Sequence, residues 1–583
     1  MRALLLLAAL GCTAASAQVR TPSRQAAHHL FGAGLAFGDF DGDGRDDLAI
    51  SAPGDAEATI TVLYAEAPLR GRTVRAAVAL PASSVGPSLS AGDGVLASGD
   101  FDGDGYADLA VGLPEANQRA GAVVVLYGSA DGLQGPGRVF DQGSDGVPGA
   151  VEPGDEFGAA LAAVVRDGST GIADLIVGAP GEAIGTKDEA GAVWLFFGSR
   201  DGLTSTGSVA FNLDDATHPS IQATAGHRFG QAIATCTTCR FSDRVLVGAP
   251  GGDLFVELKA QNGALAYVSA DSQSPGSAYG AALAKTPSEN ETYVLAVGQP
   301  SLAVSGQAAA GGFSFAVDGL VDTDVAQGAA GILGTPEAGD RFGATLAAAD
   351  FDDDGIGDLV VAAPNEAIGT TIQAGSVWVF MDMRDRPMTE HTVVAFEGGS
   401  PGIPLDLEAG SRFGTTLATG DFDGDGYADL AIGAPTAQNG LRSNAEAGSV
   451  VLLYGSADGL YTTGVGPAAG PDGVFRIIQG QQLPTAPPVA TDASEPDALA
   501  LTPPAPNPTA GAARLTLRLG APADVDVAVI DVLGRRVATV ASGALAAGAH
   551  PLSVDTSTLS EGVYLIRATT SQGTKTTRLT IAR

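Results

Sequence analysis

The stretch "DFDGDGRDDLAISAP", residues 39–53, places five aspartates directly before an apolar run that ends in proline. Near-copies begin at Asp100, Asp350 and Asp421. A loop and strand that recur at intervals of tens of residues are typical of repeat proteins, in which each unit buries its apolar face against its neighbours. This feature argues against a single unrepeated core and predicts a ring or a solenoid of similar units.

Two further marks define the register of the repeat. A small-x-Pro tripeptide closes the apolar strand in seven copies, at Pro53, Pro114, Pro180, Pro250, Pro300, Pro364 and Pro435. An aromatic-Gly pair precedes six of them, beginning at Phe31, Phe157, Phe229, Tyr279, Phe342 and Phe413. A Gly-rich hairpin and another strand follow, so each copy is expected to form about four short antiparallel strands, in keeping with 81 Gly and 33 Pro in the chain. Seven such copies favour a closed ring in an all-β protein.

Closing a ring requires its two chain ends to meet. The segment "VFRIIQG", residues 474–480, resembles an outer strand whose own unit does not follow. It is therefore predicted to pair with the first unit, which begins near Phe31, as a clasp.

The aspartates fall at loop positions 1, 3, 5 and 9, the spacing at which a tight turn directs carboxylates inward and position 7 adds a carbonyl. Oxygen ligands in this arrangement suit Ca²⁺, and glycine at position 6 permits the sharp turn. Position 12 holds an apolar strand residue such as Ile50 instead of the EF-hand glutamate. A merely solvated turn is the alternative, although the four carboxylates would repel each other without a cation.

About four calcium sites are predicted, with position 7 supplying only its backbone carbonyl. The predicted ligands are Asp39, Asp41, Asp43, Arg45 and Asp47; Asp100, Asp102, Asp104, Tyr106 and Asp108; Asp350, Asp352, Asp354, Ile356 and Asp358; and Asp421, Asp423, Asp425, Tyr427 and Asp429.

The combination of Phe-Gly opening, DxDGDGxxDL loop and Gly-Ala-Pro closing resembles the FG-GAP repeats of the integrin α-chain head and of bacterial surface proteins. The resemblance covers about residues 30–480. It implies a seven-bladed β-propeller, assigned here to residues 18–482, with calcium on hairpin loops at one face and ligand contacts at the opposite face.

The three middle copies depart from the aspartate pattern. The third has Val165 where the first aspartate belongs, and the fifth, "KTPSENETYVL", lacks the series. The fourth holds Cys236 and Cys239 in its loop. In an exported protein this pair is expected to form a disulfide that braces the hairpin, with a redox-active CxxC or half of a zinc site as the alternatives.

The two ends of the chain carry export signals. Residues 1–17 have the pattern of a secretory signal peptide, and Cys12 raises the alternative of a lipoprotein signal. Residues 483–497 form a Pro-rich linker. Residues 498–583 regain alternating strands and predict a small Ig-like β-sandwich that resembles the C-terminal sorting domain of the type IX secretion system. The resemblance implies export across a bacterial outer membrane, with the type IX machinery as a partner; an ordinary Ig-like binding module is the alternative.

Charge and motifs bound the function. The net charge is −35, which should repel nucleic acid and anionic membranes and favour cations, and no later segment is long and apolar enough for a membrane span. No nucleophile-base motif, HExxH or Walker loop is found. The sequence therefore predicts a secreted or cell-surface, non-enzymatic adhesion module for a protein or glycan. A calcium-dependent polysaccharide lyase or hydrolase and a surface element without a single ligand are the alternatives.

Overall fold

The computed structural model describes residues 30–581 apart from internal gaps, the longest of which are 82–93, 438–447, 461–473, 479–498 and 502–511. The chain divides into two compact units, Met1–Thr485 and Ala486–Arg583. The predicted signal peptide and most of the Pro-rich linker lie outside the described residues, so both stay predictions. No helix within the described residues is long and apolar enough to cross a membrane.

The first unit consists of four-stranded antiparallel sheets, each made of four consecutive strands in the order in which they follow in the chain. The first four sheets contain β1–β4 (Gly34–Gly38, Asp47–Ala52, Thr59–Glu66, Thr73–Pro81), β5–β8 (Val95–Gly99, Asp108–Gly112, Val123–Tyr127, Gln134–Phe140), β9–β12 (Ala160–Val164, Asp174–Ala179, Ala192–Phe197, Thr204–Phe211) and β13–β16 (Ala232–Thr235, Arg244–Ala249, Leu254–Gln261, Ala264–Ser272). The next three contain β17–β20 (Leu283–Lys285, Val294–Gln299, Gly312–Val317, Leu320–Val321), β21–β24 (Thr345–Ala349, Asp358–Ala363, Ser376–Phe380, Val393–Glu397) and β25–β28 (Thr416–Gly420, Asp429–Ala434, Ser449–Leu453, Val474–Ile478). Short helical turns lie at Ala116–Arg119, Leu213–Asp215 and Pro250–Gly252. The predicted all-β class is confirmed.

The sheets form a closed ring. The first strand of each sheet contacts the first strand of the next, and β25 of the last sheet contacts β1 of the first. At four of the junctions in the described residues, a parallel bridge joins the aromatic residue of a Phe-Gly pair to a glycine of the preceding sheet, as in Gly121 with Phe157 and Gly191 with Phe229. Phe31 and Gly448 make the same bridge between the first and last sheets.

The predicted clasp is wrong. Strand β28, Val474–Ile478, pairs with β27 of its own sheet, with Ile477 opposite Val450, and not with the first sheet. The first sheet already has a fourth strand, β4, paired with β3 from its own part of the chain. Strand β28 therefore covers the edge that β27 leaves open in the last sheet. The ring closes through packing of the last sheet against the first.

The Phe-Gly and Gly-Ala-Pro marks correspond to one packing contact between neighbouring sheets. Phe229 is fully buried. A Cβ on Gly178, in the third sheet's tripeptide, would lie 2.0 Å from the carbonyl oxygen of Gly230 in the fourth sheet. Gly230 itself has a φ of +93° and donates its N–H to the Gly248 carbonyl at 3.0 Å. Only glycine fits this close approach.

The second strand of each repeat is an apolar run because the stacking of sheets covers both of its faces. Every residue of β2, β10 and β22 is buried. The aspartate that begins each of these strands is therefore buried together with the apolar residues that follow it.

Strand direction defines two faces of the ring. The first strand of every sheet ends at the loop that leads to the second strand, and in six sheets it follows an aromatic-Gly pair. We call the surface made by these loops, which include residues 39–46, 100–107, 350–357 and 421–428, the Asp-loop face. The surface made by the hairpins between second and third strands and by the connections between sheets is called the opposite face.

The second unit has seven strands in two antiparallel sheets. They are β29 (Leu499–Leu501), β30 (Ala512–Leu519), β31 (Ala523–Asp531), β32 (Arg536–Leu545), β33 (Gly548–Asp555), β34 (Gly562–Thr570) and β35 (Gly573–Ile581). The sheet orders are β29-β30-β33 and β32-β31-β34-β35. Leu517, Val527 and Ile566 belong to one buried cluster that draws on both sheets, so the alternating apolar residues of the sequence provide its core.

Candidate metal centre

Each aspartate loop is a tight turn closed by its own first carboxylate. Asp39 accepts hydrogen bonds from the backbone N–H groups of Asp43 (3.0 Å) and Gly44 (2.9 Å). The position-6 glycines of the other three loops donate to their own position-1 aspartates at 2.9–3.1 Å. Gly44 has a φ of +89°, a conformation that favours glycine. The turn therefore bends the chain around one point, as the spacing predicts.

The loops bring carboxylates together in four places. Within each cluster the candidate ligand atoms lie within 4.8 Å of one another; the clusters are Asp39, Asp41 and Asp43; Asp100, Asp102 and Asp108; Asp350, Asp352 and Asp358; and Asp421, Asp423 and Asp425. Three carboxylates at this spacing repel each other, and a set made only of hard oxygen donors suits Ca²⁺. The residues present therefore fit the predicted ion.

Not every predicted ligand joins a cluster. Position 5 is absent from the groups at Asp100 and Asp350, and position 9 is absent from those at Asp39 and Asp421. At position 7, the N–H of Arg45 donates to Asp43 at 3.0 Å, and Tyr106, Ile356 and Tyr427 make the equivalent bond to position 5. Arg45 also donates from Nε to the Asp423 carbonyl at 3.1 Å, a link between the first and last sheets that sequence reasoning missed.

The aspartate at position 9 has a structural role that the spacing argument did not include. Asp108 is buried, and its two oxygens accept the N–H groups of Phe101 (2.8 Å) and Gly128 (2.9 Å). Asp47, Asp358 and Asp429 each make the same pair of bonds. Position 9 thus ties the loop to the end of the third strand.

The sequence of the third sheet could have revealed this structural role of position 9. Its loop lacks the aspartate series, yet Asp174 occupies position 9, is buried, and accepts the Gly198 N–H at 2.9 Å. Burial raises the pKa of Asp47 to about 8 and of Asp108 and Asp358 to about 7. A nearby cation would counteract that shift by favouring the charged carboxylate.

The loops also connect neighbouring sheets. The position-1 carbonyl of one sheet accepts an N–H from the loop of the next, as in Ala107 to Asp39 (2.8 Å) and Ala173 to Asp100 (2.7 Å). Asp46 donates its N–H to the Asp421 carbonyl at 3.0 Å, which continues the series across the junction of the last and first sheets. Since position 1 is also a cluster residue, order at a cluster is coupled to the contact between sheets.

The four clusters lie in the sixth, seventh, first and second sheets, which are neighbours in the ring.

Cys236 and Cys239 lie outside the described residues, as does Asp167 of the third copy, so the disulfide stays a prediction. In the fourth sheet, Arg244 pairs with Glu257 (3.3 Å) and Lys259 with Asp243 (3.1 Å). Ion pairs between side chains therefore occur in a sheet whose loop lacks the aspartate series.

Two similar polar pairs lie on the opposite face. Gln327 donates to Glu366 at 2.6 Å, and Gln142 donates to Glu182 at 2.7 Å. Both glutamates belong to hairpins between second and third strands. Burial raises the pKa of each carboxyl to about 7, against the weaker lowering effect of the glutamine hydrogen bond.

These two glutamates predict a measurable pH dependence of stability. Because their pKa is higher in the folded than in the unfolded chain, the folded state binds protons more strongly. The resulting stabilisation is complete below the unfolded pKa of 4.5 and is lost as the pH rises through about 7. As the pH rises from about 6 to about 8, the unfolding free energy of the parent should fall. The fall should be roughly 1–3 kcal/mol smaller in the Glu182→Gln/Glu366→Gln variant.

The measurement is urea denaturation at fixed calcium concentration at both pH values. Glutamine can still accept the bond from Gln327 or Gln142, so the variant should fold normally. The exposed Glu189 offers a matched control through Glu189→Gln. Parallel pH dependences for the parent and the double variant would contradict the assignment.

Comparison with known families identifies two regions of the chain. Residues 31–63, 94–126, 342–380 and 413–453 match the FG-GAP repeat. These segments contain the four aspartate clusters. Residues 505–582 match the secretion system C-terminal sorting domain.

Several curated proteins are similar to part of this chain. Integrin alpha-4 of Xenopus laevis is 32% identical over 222 residues, which cover 36% of this chain and 19% of the relative. Integrin alpha-PS5 of Drosophila melanogaster is 36% identical over 125 residues (21% of this chain, 11% of the relative). Phosphatidylinositol-glycan-specific phospholipase D of Rattus norvegicus is 37% identical over 131 residues (20% and 14%). The matched regions thus span less than a fifth of each relative.

Solved structures give only distant matches. AofleA from Arthrobotrys oligospora aligns with a TM-score of 0.33 and 12% identity over 64% of this chain and 89% of its own. A Lactobacillus plantarum protein aligns with a TM-score of 0.34 and 11% identity over 65% and 86% of the two chains. These scores are too low to support an argument about the fold.

Proposed function

We propose that this chain, which carries FG-GAP repeats in an integrin-like β-propeller and a secretion system C-terminal sorting domain, is a calcium-binding, non-enzymatic adhesion module for a protein or a glycan. The sorting domain points to export, with the finished protein secreted or held at the cell surface. The type IX machinery is the proposed secretion partner.

The observation that carries the proposal is the contrast between the two faces. The Asp-loop face repeats one turn with the same hydrogen bonds at four places. The connections between sheets on the opposite face differ in length and sequence, as in residues 141–156, 322–341 and 398–412, whereas the hairpins that begin at Gly181 and Asn365 share the sequence EAIGT. A regular scaffold that presents varied loops is the usual arrangement of a binding protein.

Calcium is proposed to be held by the clusters at Asp39, Asp100, Asp350 and Asp421, with position-7 carbonyls as further ligands. When bound, the ion supplies positive charge that offsets repulsion among carboxylates. The chain's own part is to orient those carboxylates through backbone N–H groups and to transmit order at each loop to the neighbouring sheet through the position-1 carbonyl.

The enzymatic alternative has a specific basis in the comparisons, because phospholipases D that are specific for phosphatidylinositol-glycan occur among the relatives. The match covers 14% of the rat enzyme's length, so it does not carry that activity to this chain. The polysaccharide lyase or hydrolase remains the other enzymatic candidate.

Binding and turnover can be measured on the same preparation of the full chain. We expect saturable, calcium-dependent binding to members of a peptide array or a glycan array. We expect no release of a glycosylphosphatidylinositol-anchored reporter protein from vesicles and no shortening of array polysaccharides. Product formation that chelator abolishes would replace the adhesion proposal with an enzymatic one.

A further inference from the structure

The connections between sheets on the opposite face share one backbone contact. The residue directly before a Phe-Gly pair donates its N–H to a carbonyl of the preceding sheet, two residues before that sheet's bridging glycine. The pairs are Glu156 to Arg119 (2.8 Å), Arg228 to Glu189 (2.9 Å), Arg341 to Ala309 (3.1 Å) and Arg412 to Gln373 (3.1 Å). The two residues joined by this hydrogen bond therefore hold equivalent backbone positions at each of these junctions.

Two of these junctions are charge-compensated within the chain. Glu156 is buried and forms ion pairs with Arg119 of the sheet before it and with Arg228 of the sheet after it, the latter at 2.5 Å. Arg228 also pairs with Glu189 at 3.1 Å. The contact between Glu156 and Arg228 further shows that side chains at successive junctions can reach each other.

The junctions that lead into the sixth and seventh sheets lack such a carboxylate. Their partner positions hold Ala309 and Gln373, and both Arg341 and Arg412 are exposed. Within the described part of the chain, neither arginine forms an ion pair. Two uncompensated guanidinium groups thus occupy successive junctions in a chain whose net charge is −35.

Exposed apolar side chains occur in the same segments of the opposite face. Ile372 and Leu333, at 66% and 65% exposure, are the most exposed large apolar residues of the described chain. Ile372 precedes Gln373 and accepts the Gly410 N–H at 3.0 Å, which places it next to the segment that carries Arg412. Leu333 lies in the connection that leads to Arg341.

Asp340 directly precedes Arg341 in the chain, and Glu366 lies in the hairpin that contains Gln373. Asp340 and Glu366 are buried, and burial raises their pKa values to about 6 and about 7. Asp340 accepts the N–H of Glu337 at 2.6 Å, so part of its hydrogen-bonding capacity is already used.

We infer that Arg341 and Arg412 receive an acidic side chain of a protein partner, flanked by apolar residues that pack on Ile372 and Leu333. The inference rests on the proposed binding function and names its ligand class. Arginine and exposed apolar residues are characteristic of protein interfaces, and the guanidinium group matches a carboxylate in geometry, as Glu156 shows within the chain. A polyanionic polysaccharide fits less well, because the chain's negative charge repels its many charges at long range more strongly than it repels a peptide with one acidic side chain.

The test uses the full chain in calcium and two pools of amidated peptides that have either Glu or Gln at the centre and varied apolar residues around it. We expect binding of the Glu pool with weaker or no binding of the Gln pool. Arg341→Gln and Arg412→Gln should each weaken binding of the Glu pool about tenfold, the effect of losing a hydrogen bond to a charged group. Ile372→Ser should weaken it several-fold.

Arg228→Gln is the matched control. It changes an arginine at an equivalent junction whose guanidinium is already engaged by Glu156 and Glu189, so binding should change less than about twofold. Melting temperatures of the exposed-site variants should equal that of the parent, which separates binding loss from unfolding.

Several results would overturn the inference. These are equal binding of the two pools, no binding of either pool, equal losses from Arg228→Gln and Arg341→Gln, or binding of polygalacturonate that depends on Arg341 and Arg412 while the peptides do not bind. In each case the broader adhesion proposal is judged separately, by whether the parent chain binds any member of the peptide and glycan arrays.

Discussion

Chelation of calcium is expected to lower the melting temperature of the full chain by on the order of 10 °C. Each cluster places carboxylates within 4.8 Å of one another, so removal of the ion restores their repulsion. A site filled at 100 times its dissociation constant adds about 2.7 kcal/mol to the stability of the folded state. Scanning calorimetry with calcium and with chelator measures the difference.

Individual sites can be resolved with one variant per loop. Asp39→Ala, Asp100→Ala, Asp350→Ala and Asp421→Ala should each remove about a quarter of the calcium-dependent gain if the four sites contribute equally and independently. Asp131→Ala changes an exposed aspartate in a hairpin on the same face and should leave the gain intact. A melting temperature that does not respond to chelator would remove the main physical support for the calcium assignment.

Loss of the position-9 carboxylate should destabilise the propeller with or without calcium. Asp108→Ala leaves the buried N–H groups of Phe101 and Gly128 without their acceptor, at a cost of roughly 2–5 kcal/mol. Asp174→Ala removes the acceptor of Gly198 in a sheet that lacks the aspartate series. Its cost should therefore be the same in calcium and in chelator.

Urea denaturation of both variants in calcium and in chelator distinguishes the two roles. Asp108→Ala should lose more stability in calcium than in chelator, because only in calcium does it also lose a ligand. The exposed Asp201 provides the control Asp201→Ala in the third sheet. If the cost of Asp108→Ala vanished in chelator, position 9 would be a ligand alone.

The repeated sequence marks allowed much of the fold to be predicted. Aromatic-Gly and small-x-Pro marks correspond to a local packing contact, typified by Gly178 and Gly230, so they recur wherever that contact recurs. The spacing of aspartates likewise reflects a turn closed within a few residues, as at Asp39 and Gly44. Both features are short-range, which is why the sequence alone exposes them.

Other features depend on partners that are distant in the chain. Strand β28 selects β27 because that edge is open, and its sequence does not distinguish this edge from one in the first sheet. The link from Arg45 to the Asp423 carbonyl joins residues at opposite ends of the propeller sequence. Compensation of Arg228 by Glu156 and Glu189 could be recognised only once the junctions were aligned in space.

The bridge between Phe31 and Gly448 is the same as the bridges between sheets that are consecutive in the chain. The ring consequently has no structurally distinct seam, and the place where its polypeptide begins and ends is a matter of gene order. Circular permutation of the propeller, with new termini at another junction and the old ones joined by a linker, would preserve every sheet and every kind of neighbour contact. Such a rearrangement would join the C-terminal sorting domain to the chain after a different sheet without changing the sheets themselves.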